Sequence, residues 1–155
     1  MRTRADENHP GYRALMELLR TADTLWNASR VFFERWDLSP SQFNVLNLLR
    51  DYPDGLSQTD LSLQLIMHRS NLTGLVDRLE KRGLVTRREV AADRRAYSVV
   101  LTVAGTRLLR EILPRYYEEA ARVWDRLPAR RAAGMIADLQ QVALNAQHVV
   151  AKLPR

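Results

Sequence analysis

Apolar side chains recur every three or four residues along most of this chain, the spacing of helices with one buried face. Tyr12, Leu15, Met16, Leu19, Ala22, Trp26 and Phe33 predict a helix from Tyr12 to about Trp36. A second begins at Leu38-Ser39-Pro40-Ser41-Gln42, where Ser39 suits the cap, Pro40 the first helical position and Gln42 the return bond of a capping box. It carries Phe43, Val45, Leu46, Leu48 and Leu49 and stops at the turn-forming cluster Tyr52-Pro53-Asp54-Gly55. Ser57 with Asp60 opens a short third helix containing Leu61 and Leu65. After a break near Ile66–His68, Leu72, Leu75, Val76 and Leu79 follow the i, i+3, i+4, i+7 rule, and Gly83 marks the stop.

From Leu84 to Leu101 the period drops to two. Tyr97, Val99 and Leu101 face one way and Ala96, Ser98 and Val100 the other, so two short strands form a hairpin with the polar tip Ala91-Ala92-Asp93-Arg94-Arg95. Thr102 then caps a long helical region, in which Pro114 predicts a kink. Pro128 starts the last helix, striped by Ile136, Leu139, Val142, Ala143, Ala146, Val149 and Val150. The expected fold is mainly α with a small β-hairpin (α+β). A winged helix-turn-helix lobe over 37–102 joins a helical dimerisation lobe made of 1–36 and 103–155.

Charge adds a function to this outline. The 155 residues hold 24 Lys+Arg against 18 Asp+Glu, a net +6. Between His68 and Arg95 lie Arg69, Arg78, Lys81, Arg82, Arg87, Arg88, Arg94 and Arg95, against Asp77, Glu80, Glu89 and Asp93. Eight minus four is +4, so most of the excess sits on the helix and hairpin of one lobe. That concentration favours a polyanionic partner, and double-stranded DNA is the expected one.

A helical wheel of Arg69–Arg82 turns Leu72, Leu75, Val76 and Leu79 inward. Ser70, Gly74, Asp77 and Lys81 lie at the opposite pole, with Asn71, Thr73 and Arg78 on its flanks. Small polar side chains near a helix start suit base edges, and the major groove is wide enough for a helix. The candidate DNA-binding residues are therefore Arg69, Ser70, Asn71, Thr73, Gly74 and Arg78, with Asp93, Arg94 and Arg95 at the wing tip reaching phosphate or the minor groove. Gly74 costs about 1 kcal/mol inside a helix relative to alanine, which suggests a close backbone approach to DNA. The bland alternative is a solvated helix face and an exposed turn with weak ion pairs.

The run Leu72-Thr73-Gly74-Leu75-Val76-Asp77-Arg78-Leu79-Glu80-Lys81-Arg82-Gly83-Leu84-Val85, followed by Asp93-Arg94-Arg95 and Leu101-Thr102, resembles the MarR family of bacterial regulators. Leu38-Ser39-Pro40-Ser41-Gln42-Phe43 resembles the opening of that family's second helix. The resemblance implies a homodimer joined through its terminal helices. It also implies recognition helices in successive major grooves of a pseudo-palindrome, and release by small, often phenolic, ligands. It assigns Asp93 and Arg95 to the wing motif, Ser70 and Thr73 to recognition contacts and Arg78 to a backbone contact. Gly74 departs from the longer polar side chain common there, Ile66 from a turn glycine, and His68 is a poorer cap than Ser or Asp.

The reading is thus a cytoplasmic, non-enzymatic regulator of transcription, expected to be a repressor that binds an operator as a homodimer. The alternative is a winged-helix protein-interaction module, or an architectural DNA binder without a ligand. An effector would sit among Phe32, Trp36, Phe43 and Tyr116, although aromatics at helical spacing are more often core. No P-loop, G-x-G-x-x-G, G-x-S-x-G or H-E-x-x-H motif occurs. With no cysteine, and with His9, His68 and His148 far apart, neither cofactor nor metal is expected. Met1–Pro10 is polar and lacks the apolar centre of a secretory signal.

Overall fold

The computed structural model describes residues 9–65, 69–90 and 93–152, with 69–70, 90 and 93–96 described by backbone alone. The expected break near Ile66–His68 and the tip residues Ala91 and Ala92 lie outside the described residues.

Helix α1 (Pro10–Phe33) starts at His9, whose Nδ1 accepts from the Gly11 amide at 3.2 Å. It tightens into one 3-10 turn, Glu34–Trp36, and Asp37 then takes a left-handed conformation (φ 52) that turns the chain. Helix α2 (Pro40–Leu49) forms its capping box in full. Ser39 Oγ accepts from the Gln42 amide at 3.2 Å, and Gln42 Oε1 accepts from the Ser39 amide at 2.8 Å.

Gly55 ends the following turn at φ +84, donating to the Tyr52 carbonyl at 2.9 Å. A Cβ there would fall 2.5 Å from Val100 Cγ1, so glycine is required for both conformation and space. The next residues form a strand that periodicity did not anticipate, β1 (Leu56–Ser57). Two residues are too few to show a period. Helices α3 (Gln58–Gln64) and α4 (Arg69–Lys81) follow, then β2 (Val85–Val90) and β3 (Asp93–Leu101).

The sheet is antiparallel in the order β1-β3-β2, with Leu56 opposite Val99 and Val85 opposite Leu101. Its tip corrects the expectation of a loop running through Arg95. Asp93, Arg94 and Arg95 already belong to β3. Val90 pairs with Asp93 and Glu89 with Tyr97, which leaves Arg94, Arg95 and Ala96 without a counterpart on β2. Such a bulge bends the strand.

Helix α5 (Val103–Val123) is helical on both sides of Pro114, and α6 (Ala129–Ala151) begins after Pro128. Gly105, in the first turn of α5, lies against the β-hairpin, where a Cβ would sit 2.1 Å from the Leu84 carbonyl oxygen. The chain divides into two compact units, Met1–Leu109 and Arg110–Arg155. The first has a core of Phe33, Phe43, Leu46, Leu49, Leu61, Leu72, Val76, Leu79, Val85, Val99 and Leu109, all essentially inaccessible. In the second, α6 has no buried residue. Among the described residues no helix is long and apolar enough to cross a membrane.

Candidate nucleic-acid interface

Two helices, the first of them capped, set up the candidate element. Ser57 Oγ accepts from the Asp60 amide at 3.1 Å and donates to the Asp60 carboxylate at 2.6 Å, which starts α3 so that Leu61 is buried. Leu72, Leu75, Val76 and Leu79 then anchor α4 to the core, which turns Asn71, Thr73, Asp77, Arg78 and Lys81 outward. Arg69 and Ser70 occupy the first turn of α4, and Asp93, Arg94 and Arg95 the start of β3. Their side chains lie outside the described residues. The structure thus places the α4 and wing candidates on two elements of one compact unit, separated in the chain by β2.

The family model described as MarR family matches residues 36–96, the span from the end of α1 to the wing. Over 95 residues the chain is 34% identical to the HTH-type transcriptional repressor YetL of Bacillus subtilis (strain 168), covering 61% of this chain and 57% of that protein. Over 72 residues it is 39% identical to the transcriptional repressor MprA of Escherichia coli (strain K12), covering 46% and 41%. These matches span about half the length of the two relatives. The fold agrees over more of the chain: CouR from Rhodococcus jostii RHA1, solved bound to p-coumaroyl-CoA, superposes with a TM-score of 0.76 at 26% identity, covering 91% of this chain and 96% of CouR. Residues 36–96 thus match the MarR family, and over most of its length the chain is similar in fold to a solved regulator of that family, from Rhodococcus sp. RHA1.

Within the matched span, Gly74 is half-buried beside Arg78, whose Nη1 would lie 3.6 Å from a Cβ at position 74. That is ordinary contact, so packing inside the chain does not demand glycine. The Arg78 side chain folds back along the helix over the gap that Gly74 leaves.

Two arginines counted in the basic excess are engaged within the lobe. Arg87, on β2, donates from Nη2 to Asp77 Oδ1 and from Nη1 to Glu80 Oε2, while its backbone amide donates to Glu80 Oε1 at 2.9 Å. Burial works against the charge on Arg87, but hydrogen bonds and attraction from Asp77 and Glu80 outweigh it and raise its pKa above the ordinary guanidinium value. Arg82, just past α4, donates to the carbonyls of Trp36 (3.0 Å) and Asp37 and lies 3.7 Å from the Asp37 carboxylate. The wheel put Asp77 at the outward pole but did not give its partner. Arg87 is seven residues beyond Glu80 and on another element.

The wing is also fastened at its exit. Thr102 Oγ1 donates to the Gly83 carbonyl at 2.6 Å and accepts from the Gly105 amide at 3.0 Å. One side chain thereby closes the end of α4, the end of the hairpin and the start of α5.

The aromatic candidates separate. Phe43 is 2% exposed and stacked on Phe33, with ring centroids 4.4 Å apart, and is core. Phe32 and Trp36 are half-buried neighbours 5.3 Å apart, with the Arg35 guanidinium over both rings. Tyr116 belongs to the second unit and is half-buried beside Tyr117. A cavity of about 350 Å³ lies at the junction of α1 and α2, lined by Arg30, Glu34, Asp37, Leu38, Ser39, Pro40 and Gln42, none of them among the four aromatic candidates.

Proposed function

We propose that this chain is a cytoplasmic, non-enzymatic transcriptional regulator, of repressor type, that binds a pseudo-palindromic operator in double-stranded DNA as a homodimer. One observation carries the reading: α4 hides its whole apolar stripe and offers Asn71, Thr73, Arg78 and Lys81 outward, directly before a basic hairpin. A protein-docking face would call for exposed apolar side chains there. Arg69, Ser70, Asn71, Thr73 and Gly74 would meet base edges and nearby phosphates, Arg78 the backbone, and Asp93, Arg94 and Arg95 the minor groove. The names of YetL and MprA as repressors support the direction of control.

Residues 1–36 and 103–155 would form the dimerisation lobe and 37–102 the reading lobe. Exposed Leu15, Leu19 and Trp26 on α1, with Ile136, Val142 and Val149 on α6, supply the apolar surface that a two-fold partner would cover. The p-coumaroyl-CoA bound to CouR supports a small aromatic effector for this chain, for which Phe32, Trp36 and Tyr116 are the candidate contacts and Phe43 the support behind them.

The test is selection of bound duplexes from a random pool, followed by anisotropy titrations at rising salt. Affinity should fall steeply with salt as bound phosphates regain their counterions. Arg95→Ala should weaken binding to the selected duplex by about 1–3 kcal/mol. No enrichment and no salt-dependent binding would overturn the reading in favour of a protein-interaction module.

A further inference from the structure

Charge along α4 poses a problem for a DNA-reading helix. Over residues 71–81 the outward cations are Arg78 and Lys81, and they are matched one for one by Asp77 and Glu80. Asp77 is 56% exposed at its side chain and shares the outward pole with Gly74 and Lys81. Taken alone, the C-terminal half of α4 is electroneutral and carries carboxylates beside the surface that would face phosphate. Like charges brought together at an interface oppose association and shape its salt dependence.

Both carboxylates are bound by one guanidinium from another element. Arg87 on β2 takes Asp77 with Nη2 and Glu80 with Nη1, and its own backbone amide takes the second oxygen of Glu80 at 2.9 Å. Asp77 and Glu80 are one helical turn apart, so a planar fork spans them where a lysine ammonium could meet them only as a point charge. The Arg87 side chain is three-quarters buried, and the same contacts fix the first strand of the wing against α4.

We propose that Arg87 is a positioning residue for DNA binding: it masks the carboxylates of Asp77 and Glu80 on the reading helix and holds the wing in register with that helix. The proposal rests on the DNA-binding reading above. Arg87 itself need not touch DNA. Its masking leaves Arg78 and Lys81 as the unmatched charges at that end of α4.

The test uses the full chain, the selected duplex and an unrelated duplex, with anisotropy at several salt concentrations and circular dichroism to confirm folding. Arg87→Ala should weaken binding to both duplexes by about tenfold at low salt, the scale of one unfavourable charge juxtaposition, and by less as salt rises. Adding Asp77→Asn and Glu80→Gln to that variant should recover most of the loss, a rescue that a purely packing role would not give. Arg87→Lys should fall between.

If Arg87→Ala does not fold, Arg87→Lys carries the test: it should bind both duplexes more weakly than the original chain, and D77N/E80Q added to it should recover most of the loss. A folded Arg87→Ala or Arg87→Lys with undiminished affinity, or a triple variant as weak as the single one, would each overturn the inference. Failure of the original chain to bind any duplex would instead overturn the DNA reading itself.

Discussion

In α4, Leu72, Leu75, Val76 and Leu79 are at most 7% exposed, whereas in α6 Ile136, Val142, Val149 and Val150 are 57%, 48%, 61% and 67% exposed. The two helices follow the same spacing rule, and on the sequence they look alike. What differs is the surface each one meets. Helix α4 packs into a core completed by α2, α3 and the sheet, so its stripe is consumed within the chain and its polar face is left outward. Helix α6 has no buried residue, and its apolar stripe stays exposed. Periodicity therefore identifies a face that must leave water without saying whether the same chain or another one will cover it.

Breaking the buried side should have the largest effect. Leu79→Ala removes a wholly enclosed side chain and should destabilise the protein by about 2–5 kcal/mol, measured by urea unfolding with coincident fluorescence and circular dichroism. A loss below 1 kcal/mol would mean that the α4 stripe is not the anchor described here. Breaking the exposed side should act on association. Ile136→Glu is expected to keep the helical content and shift the mass from dimer to monomer in sedimentation equilibrium, with DNA affinity falling as the two reading heads separate. A dimer of undiminished strength would show that α6 is not the interface.

The smallest effect sharpens the comparison from the polar face of α4. Gly74→Ala has room for its methyl group, so it should raise thermal stability by about 0.4–1 kcal/mol. If glycine is kept there for close approach to the duplex, the same variant binds DNA more weakly. A more stable protein with unchanged affinity would show that Gly74 only makes room for Arg78.

Several parts of the fold were legible because their causes are local. The capping box at Ser39 and Gln42, the Ser57 cap, the left-handed glycine at position 83 and the stripe of α4 each depend on residues within a turn or two. The outward face of α4 was legible for the same reason, since the exposure of Asn71, Thr73 and Arg78 follows from the stripe opposite them. Strand β1 was not, because its two residues become a strand only when Leu56 and Ser57 pair with Val99 and Ser98. The tip of the wing was misjudged because a bulge is a matter of register between two strands, and composition does not report register.

The sequence by itself determined which faces are apolar, where helices start and stop, and that positive charge gathers between His68 and Arg95, since each depends on neighbours within a few residues. Only the tertiary structure decided which charges remain for a partner. Arg87 was assigned to Asp77 and Glu80, and Arg82 to the backbone of Trp36 and Asp37 more than forty residues away. Such pairings depend on how elements converge, and electrostatic attraction between side chains brought together by folding leaves no periodic trace along the chain.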